Sequence, residues 1–137
     1  MNAVPRSVEL LRAGSVVQAE LTYGEHNSES YWVRLVCREQ SFIGEGSDYF
    51  DALVALRRQL EAQGTFIRVN GAGQNVWPSG MSRSMGGGIK AYRMTLGSQA
   101  RMADLVHIFE CSTGIEPATI AEQERFRDQW FASLGSA

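Results

Sequence analysis

The sequence predicts an α+β fold, a single domain over residues 1–137 in which an antiparallel sheet of four to five strands carries two main helices on one face. Three observations predict it. Segments rich in β-branched and aromatic residues follow one another in the N-terminal part, with turn-like residues between them. Two later segments have apolar residues at helical spacing. The length of 137 residues suits one domain with its own core.

The N-terminal part is predicted to form strands. After an expected turn of helix before residue 15, segments 15–23 and 30–39 have the composition of an antiparallel hairpin. Segment 41–46 predicts a short third strand, ended by its glycines.

The first helix is predicted over residues 47–63. Ser47 is its expected N-cap, and Gly64 suits the position just past its C-terminal end. Apolar residues recur at every third or fourth position on one face, which predicts a buried face made of Phe50, Leu53, Leu56 and Leu60.

The C-terminal part is predicted to contain strands 65–70 and 88–97 and a final helix over residues 116–135. Segment 100–110 fits either a helical turn or a short strand, because its apolar run is too brief to separate the two periods. The final helix has the spacing of a capping box, and its apolar face repeats every four residues: the box is Thr119 with Glu122, and the face is Phe126, Trp130 and Leu134.

Charge is unevenly distributed along the chain, although the net charge is only −2. Residues 62–103 carry five cations and no acid, whereas the segments before and after them are acidic. The positive field is therefore expected around the segment between strands 65–70 and 88–97. The acidic remainder would repel a long polyanion, so nucleic-acid binding is disfavoured and only a small footprint stays open.

The chain is expected to be cytoplasmic and not attached to a membrane. Its N-terminal segment lacks the apolar core of a signal peptide, and its apolar runs are far shorter than the roughly 20 residues of a membrane-spanning helix. Cys37 and Cys111 lie far apart without a CxxC pattern, which predicts free thiols. No metal or cofactor is expected.

Residues 71–88 form an unusually long glycine-rich connection between two predicted strands. Its large apolar residues are not needed in a solvated linker and favour an ordered loop over a mobile flap: Val76, Trp77, Met81 and Met85. One helical turn would place both methionines on the same face. Whether that face packs against the core or contacts a partner stays open.

Catalytic and ligand-binding signatures are incomplete in this loop. Glycine amides with Arg83 and Lys90 could bind an anion, but neither the P-loop nor the dinucleotide-binding spacing is present. The loop serines, Ser79, Ser82 and Ser84, lie outside a GxSxG elbow.

His107 and Cys111 are four residues apart and could offer two metal ligands on a helix, with Cys37 as a third, which is a weak metal signature.

The residue types in and beyond the loop are those enriched at protein-binding hot spots. We therefore expect a non-enzymatic protein-binding module whose partner-binding residues are Trp77, Ser79, Met81, Arg83, Met85, Lys90 and Tyr92. The alternative is a small domain that binds a ligand such as a phosphate or nucleotide, or is catalytic, with residues 71–88 as its pocket loop.

Residues 70–109 contain the motifs NG, V-x-PSGM, MGxGxxAY and DLVxIF in this order. In this segment the chain resembles a group of small, mostly uncharacterised bacterial proteins that share the pattern. In size and layout it is similar to the immunity proteins that accompany polymorphic or type VI secreted toxins. The resemblance implies a protein that binds and neutralises a cognate bacterial toxin without doing chemistry.

Overall fold

The computed structural model describes residues 4–135, and the chain divides between Arg68 and Val69 into two compact units. Each unit contains an antiparallel sheet and helices, so the predicted α+β fold is confirmed. The strands belong to two sheets, whereas the sequence suggested one. The single domain over residues 1–137 stays a prediction, and its first three and last two residues lie outside the described part. No helix within residues 4–135 is long and apolar enough to cross a membrane.

The N-terminal unit is a five-stranded sheet with one helix. Its elements are β1 (Arg6–Arg12), β2 (Ser15–Asn27), β3 (Ser30–Cys37), β4 (Gln40–Gly46), α1 (Tyr49–Glu61) and β5 (Thr65–Ile67). The strand order is β4-β3-β2-β1-β5, and every neighbouring pair is antiparallel. The predicted hairpin is β2 with β3, and the predicted third strand is β4.

The turn of helix expected before residue 15 is wrong, because the described part of this segment is β1. Val8 and Leu10 are buried while Ser7 is exposed, which is the alternation of a strand with one face on a core. Ala13 and Gly14 both have positive φ, 50° and 80°, as a two-residue hairpin turn requires. Residues 1–3 of the expected helical turn lie outside the described residues.

The predicted buried face of α1 is confirmed, since Phe50, Leu53, Leu56 and Leu60 are all 0% exposed. The N-cap is Asp48 rather than Ser47. The backbone N–H of Asp51 donates to the Asp48 carboxylate at 2.7 Å, whereas the Ser47 hydroxyl donates to the Asp51 side chain. An aspartate at this position also interacts favourably with the positive end of the helix dipole. Gly64 has a φ of 66°. The C-cap of α1 is Ala62, so Gly64 lies two positions after the C-cap and not directly after it, as predicted.

Close contact between β4 and α1 depends on two glycines. Gly44 lies inside β4, and Gly46 is the last residue of the strand, where the predicted strand also ends. A Cβ atom at Gly44 would collide with the carbonyl oxygen of Ala52 and lie 2.5 Å from the Leu56 nitrogen. The strand therefore packs directly against the helix backbone, which no larger residue would allow.

The C-terminal unit has a three-stranded antiparallel sheet of order β6-β7-β8. Its elements are β6 (Val76–Trp77), α2 (Gly80–Gly86), β7 (Lys90–Arg93), β8 (Leu105–His107) and α3 (Ile120–Gly135), with short 3-10 helices at Asn70–Ala72 and Met102–Asp104. Strand 88–97 is thus confirmed only over its centre, and strand 65–70 only over Thr65–Ile67. The ambiguous segment 100–110 contains both a helical turn, the 3-10 helix Met102–Asp104, and a short strand, β8.

The predicted capping box of α3 is confirmed. The Thr119 hydroxyl accepts from the Glu122 N–H at 3.0 Å, and the Glu122 carboxylate accepts from the Thr119 N–H at 2.8 Å. The predicted apolar face, Phe126, Trp130 and Leu134, is only partly buried, and the most deeply buried positions of the helix are Ile120 and Gln123. The side of α3 that packs most closely therefore includes a polar residue.

Replacing Gly44 with alanine is expected to lower the free energy of unfolding of the N-terminal unit by about 1–3 kcal/mol, because the added methyl group overpacks the β4–α1 contact. Urea denaturation followed by circular dichroism measures the change. Gly86→Ala is the control, because no atom lies within 4 Å of a Cβ there and alanine favours a helix. Equal stability of both variants would contradict the packing argument.

Glu122 is expected to make the stability of α3 depend on pH. Its hydrogen bonds with Thr119 hold the pKa of the carboxyl below its ordinary value of 4.5. The carboxylate therefore stabilises the fold above that value, and this stabilisation is lost as the pH falls through the lower folded pKa. Melting temperatures of wild type and Glu122→Gln should differ at about pH 7 and converge as the pH falls below the folded pKa of Glu122.

The matched control is Glu124→Gln, which removes the same charge from the same end of α3 outside the capping box. If both variants change the pH dependence equally, the effect is general to the helix dipole and does not come from the Thr119 hydrogen bonds.

Candidate functional site

The predicted ordered loop is a folded segment. Residues 71–88 comprise the end of a 3-10 helix, then β6 and α2. Within β6, Trp77 lies opposite Tyr92 of β7, so the loop supplies the edge strand of the second sheet. Its apolar residues explain the order, because Val76 is 0% exposed in the core of the C-terminal unit.

Asn70 fixes the start of this segment. It is 1% exposed, and its amide group donates to the His107 carbonyl at 3.1 Å and to the Ser112 hydroxyl at 3.0 Å. Its side-chain oxygen accepts from the Ser112 N–H at 2.9 Å. The asparagine of the NG motif therefore joins the segment to the turn that follows β8, and its role is structural.

Gln123 of α3 holds the next part of the segment. Its side chain is 0% exposed, and its amide nitrogen donates to the carbonyls of Gly71, Gly73 and Val76, each at 2.9 Å. An amide has two hydrogens, so at least one is shared between two carbonyls. A Cβ at Gly73 would collide with the side chain of Ile115, so this glycine permits the close packing beside α3.

Helix α2 begins at an N-cap and ends at glycines. The Ser79 hydroxyl accepts from the Ser82 N–H at 3.0 Å. Gly87 and Gly88 have φ of 67° and 72° and donate their N–H groups to the Ser82 carbonyl. The glycine run is thus the C-terminal cap of a helix, because these residues adopt the left-handed conformation that other residues avoid.

A groove of about 550 Å³ lies in the C-terminal unit and is lined mainly by aromatic and aliphatic side chains. Its residues come from the start of α2, from β6 and β7, from the segment after β7 and from the C-terminal half of α3: Trp77, Pro78, Ser79, Gly80, Arg83, Tyr92, Met94, Gln99, Ala100, Trp130, Phe131 and Leu134. Phe131 is 56% exposed, so an apolar ring is presented to solvent at the α3 side. Such a concave apolar surface is typical of a binding site.

Two guanidinium groups lie over the indole ring of Trp77. The Arg83 guanidinium carbon is 5.8 Å from the ring centroid, and that of Arg127 is 4.5 Å away. Arg127 also pairs with Asp128 at 2.9 Å. These cation–π contacts hold two guanidinium groups against the Trp77 ring, and Asp128 offsets the charge of one of them.

The α3 side of the groove is held in place by hydrogen bonds to the segment after β7. The Trp130 indole N–H donates to the Ser98 carbonyl at 2.9 Å, and the Gly97 N–H donates to the Ser133 hydroxyl at 2.8 Å. The rings of Trp130 and Phe131 lie 5.1 Å apart. Trp130 is fixed by its hydrogen bond, and the backbones of Trp77 and Tyr92 are paired in the sheet, so these sides of the groove are preorganised.

Four of the seven predicted partner-binding residues line the groove: Trp77, Ser79, Arg83 and Tyr92. Met81 and Met85 are 70% and 81% exposed, so the alternative that they pack as core is wrong. With 100° between successive helical residues, they lie on the side of α2 opposite the groove-lining Gly80 and Arg83. Lys90 is exposed on β7 and does not line the groove. Contact of these three residues with a partner stays a prediction.

Sequence reasoning missed the α3 contribution to the groove, which is Trp130, Phe131 and Leu134. Trp130 and Leu134 belong to the apolar face predicted for the last helix, for which no binding role was predicted. The sequence does contain one signal, which is that Phe131 directly follows Trp130. Two adjacent aromatics cannot both lie on one narrow buried face of a helix, so one of them is expected to be exposed.

The other chemical hypotheses find less support. Backbone carbonyls accept the N–H groups of Gly71, Gly73 and Gly88, so these amides do not form the anion-binding turn that the sequence suggested. His107 lies in β8 and Cys111 after it, so the two do not share a helix face. The His107 Nδ1 accepts from the Phe109 N–H at 3.2 Å. Within residues 4–135, no three His, Cys, Asp or Glu side chains form a cluster that could hold a metal ion.

No protein-family model matches the chain, and no curated protein matches it at a significant level.

Replacing Gln123 with leucine is expected to lower the free energy of unfolding of the C-terminal unit by about 3 kcal/mol, because three buried carbonyls lose the side-chain amide that donates to them. The Gly73 carbonyl keeps the Val76 N–H as a donor at 3.3 Å. Urea denaturation measures the loss. Gln129→Leu makes the same change at an exposed position of α3 and should stay within about 0.5 kcal/mol of wild type. Similar losses in both variants would mean that helix propensity, and not the buried amide, is responsible.

Proposed function

We propose that the protein is a protein-recognition module that binds a partner through the groove of its C-terminal unit. The observation that carries the proposal is the preorganised set of half-exposed aromatics, Trp77, Tyr92, Trp130 and Phe131, with Arg83 at its edge. Trp, Tyr and Arg are the residue types that contribute most to binding energy at interfaces. A large apolar side chain of a partner would bury area in the groove without requiring the fold to change.

We further propose that the partner is a bacterial toxin and that the protein is its cytoplasmic immunity protein. Support comes from the resemblance of residues 70–109 to the motif-sharing bacterial proteins. The asparagine of the NG motif and the glycine run of the MGxGxxAY motif have folding roles, whereas Trp77 and Arg83 of the same segment line the groove. Occlusion by binding requires no catalytic residue, and this agrees with the incomplete catalytic signatures.

A second candidate is binding of a small apolar or aromatic ligand. A volume of about 550 Å³ falls within the range of small-molecule sites. Residues 77–80 and 83 of the proposed pocket loop line it. Phosphate or nucleotide recognition by the loop amides is disfavoured, because the Gly71 and Gly73 amides already donate to carbonyls.

Affinity capture from lysate of the source cells, with wild type and Phe131→Ser as bait, tests the proposal. Phe131 is exposed, so the variant should fold, and loss of this aromatic anchor should weaken a groove-bound partner by about 30-fold or more. The control is Ile43→Ser, which removes an apolar side chain that is 50% exposed in the N-terminal unit. Co-expression with the captured protein then tests whether wild type, and not Phe131→Ser, restores growth.

A partner retained equally by all three baits would place the binding surface elsewhere. A small molecule that co-purifies in place of a protein, and is lost with Phe131→Ser, would support the second candidate. Capture of a protein that does not inhibit growth would support recognition and contradict the immunity role.

A further inference from the structure

The groove offers an occupant no uncommitted charge. Among the lining residues, all within the described part of the chain, the only charged side chain is Arg83, and its guanidinium carbon already lies 5.8 Å from the centroid of the Trp77 ring. The other lining side chains are apolar, aromatic or neutral polar. A charged segment would lose hydration in the groove without gaining an ion pair with an uncommitted side chain. Charge complementarity therefore favours an uncharged occupant.

Two neutral polar side chains of the groove are free to bind an occupant. Within residues 4–135, the Tyr92 hydroxyl and the Gln99 amide have no hydrogen-bond partner. In contrast, the Trp130 indole N–H already donates to the Ser98 carbonyl. An occupant that covers the two free groups displaces their water, and a polar group that is buried without a new partner costs free energy. Because both groups can donate, the occupant should present hydrogen-bond acceptors.

We propose that the groove binds an uncharged, proline-rich segment of the partner in the polyproline II conformation. This inference rests on the proposed function and specifies the chemistry of the partner. Prolyl rings pack against aromatic side chains, and the groove is lined by Trp77, Tyr92, Trp130 and Phe131. A polyproline II segment has no internal hydrogen bonds, so its carbonyls can accept from Tyr92 and Gln99. Its conformation is largely ordered before binding, which lowers the entropic cost.

Other peptide conformations fit these groups less well. A helical segment uses its carbonyls in its own hydrogen bonds, so it would cover the two donors without supplying acceptors. A strand cannot extend the sheet at Val76, because its N–H already donates to the Gly73 carbonyl at 3.3 Å and its carbonyl accepts from Gln123. Strand β6 ends at Trp77, and Pro78 after it has no N–H for a neighbouring strand.

Selection from a random 12-residue peptide library displayed on phage, against the immobilised full chain, tests the proposal. Enriched peptides should contain several prolines and no net charge, and circular dichroism of synthetic copies should show the polyproline II spectrum. The copies should bind Tyr92→Phe about three- to tenfold more weakly than wild type, because this variant removes only the hydroxyl donor. Raising the salt concentration from about 0.05 to 0.5 M should leave their affinity unchanged, because no ion pair is screened.

The matched control is Tyr31→Phe, which removes a hydroxyl in the N-terminal unit, away from the groove-lining residues, and should bind like wild type. Thermal melting verifies that both variants fold, and Gln99→Leu repeats the test at the second donor.

Enriched peptides that are charged or lack proline, or equal affinities of the two Phe variants, would overturn the proposal. If such peptides still lose binding with Phe131→Ser, recognition through the groove stands and only the proline-rich chemistry is wrong. A library that yields no peptide dependent on Phe131 also overturns the proline-rich segment. The lysate capture decides separately whether a protein partner binds the groove.

Discussion

The buried amide of Gln123 is the interaction on which the C-terminal unit depends. The carbonyls of Gly71, Gly73 and Val76 face the interior, where water cannot reach them, and Gln123 donates to all three. A single side chain therefore joins α3 to the segment that leads into β6. Because a buried carbonyl without a donor is costly, this contact determines where the helix lies along the segment. The two sides of the groove, Trp77 and the end of α3, keep their spacing for the same reason.

Glycines serve two separate purposes in the protein. At Gly44 and Gly73 they allow a strand or turn to approach a neighbouring element that a side chain would block. At Gly87 and Gly88 they adopt positive φ and end α2. Neither purpose involves a ligand, although a glycine-rich loop is often the first sign of a phosphate site. The candidate recognition chemistry thus lies in the side chains between the glycines.

Part of the groove could be predicted from the sequence. Trp77, Arg83 and Tyr92 were recognised by residue type, because large aromatic and cationic residues in a long loop suggest an interface. Trp130 and Phe131 were not recognised, because they lie in a helix about fifty positions further along and have the pattern of a buried face. Their position depends on hydrogen bonds between distant residues, such as the Trp130 indole to the Ser98 carbonyl.

The sequence by itself determined the helices α1 and α3, the hairpin of β2 with β3, and the capping box at Thr119, since these depend on residues close together in the chain. The tertiary structure alone decided that the strands divide into two sheets, that β1 pairs with both β2 and β5, and that α3 completes a groove with β6. Strand pairing and packing join residues far apart in sequence. Local propensity and periodicity carry no information about which distant partner satisfies a buried carbonyl or covers an aromatic ring.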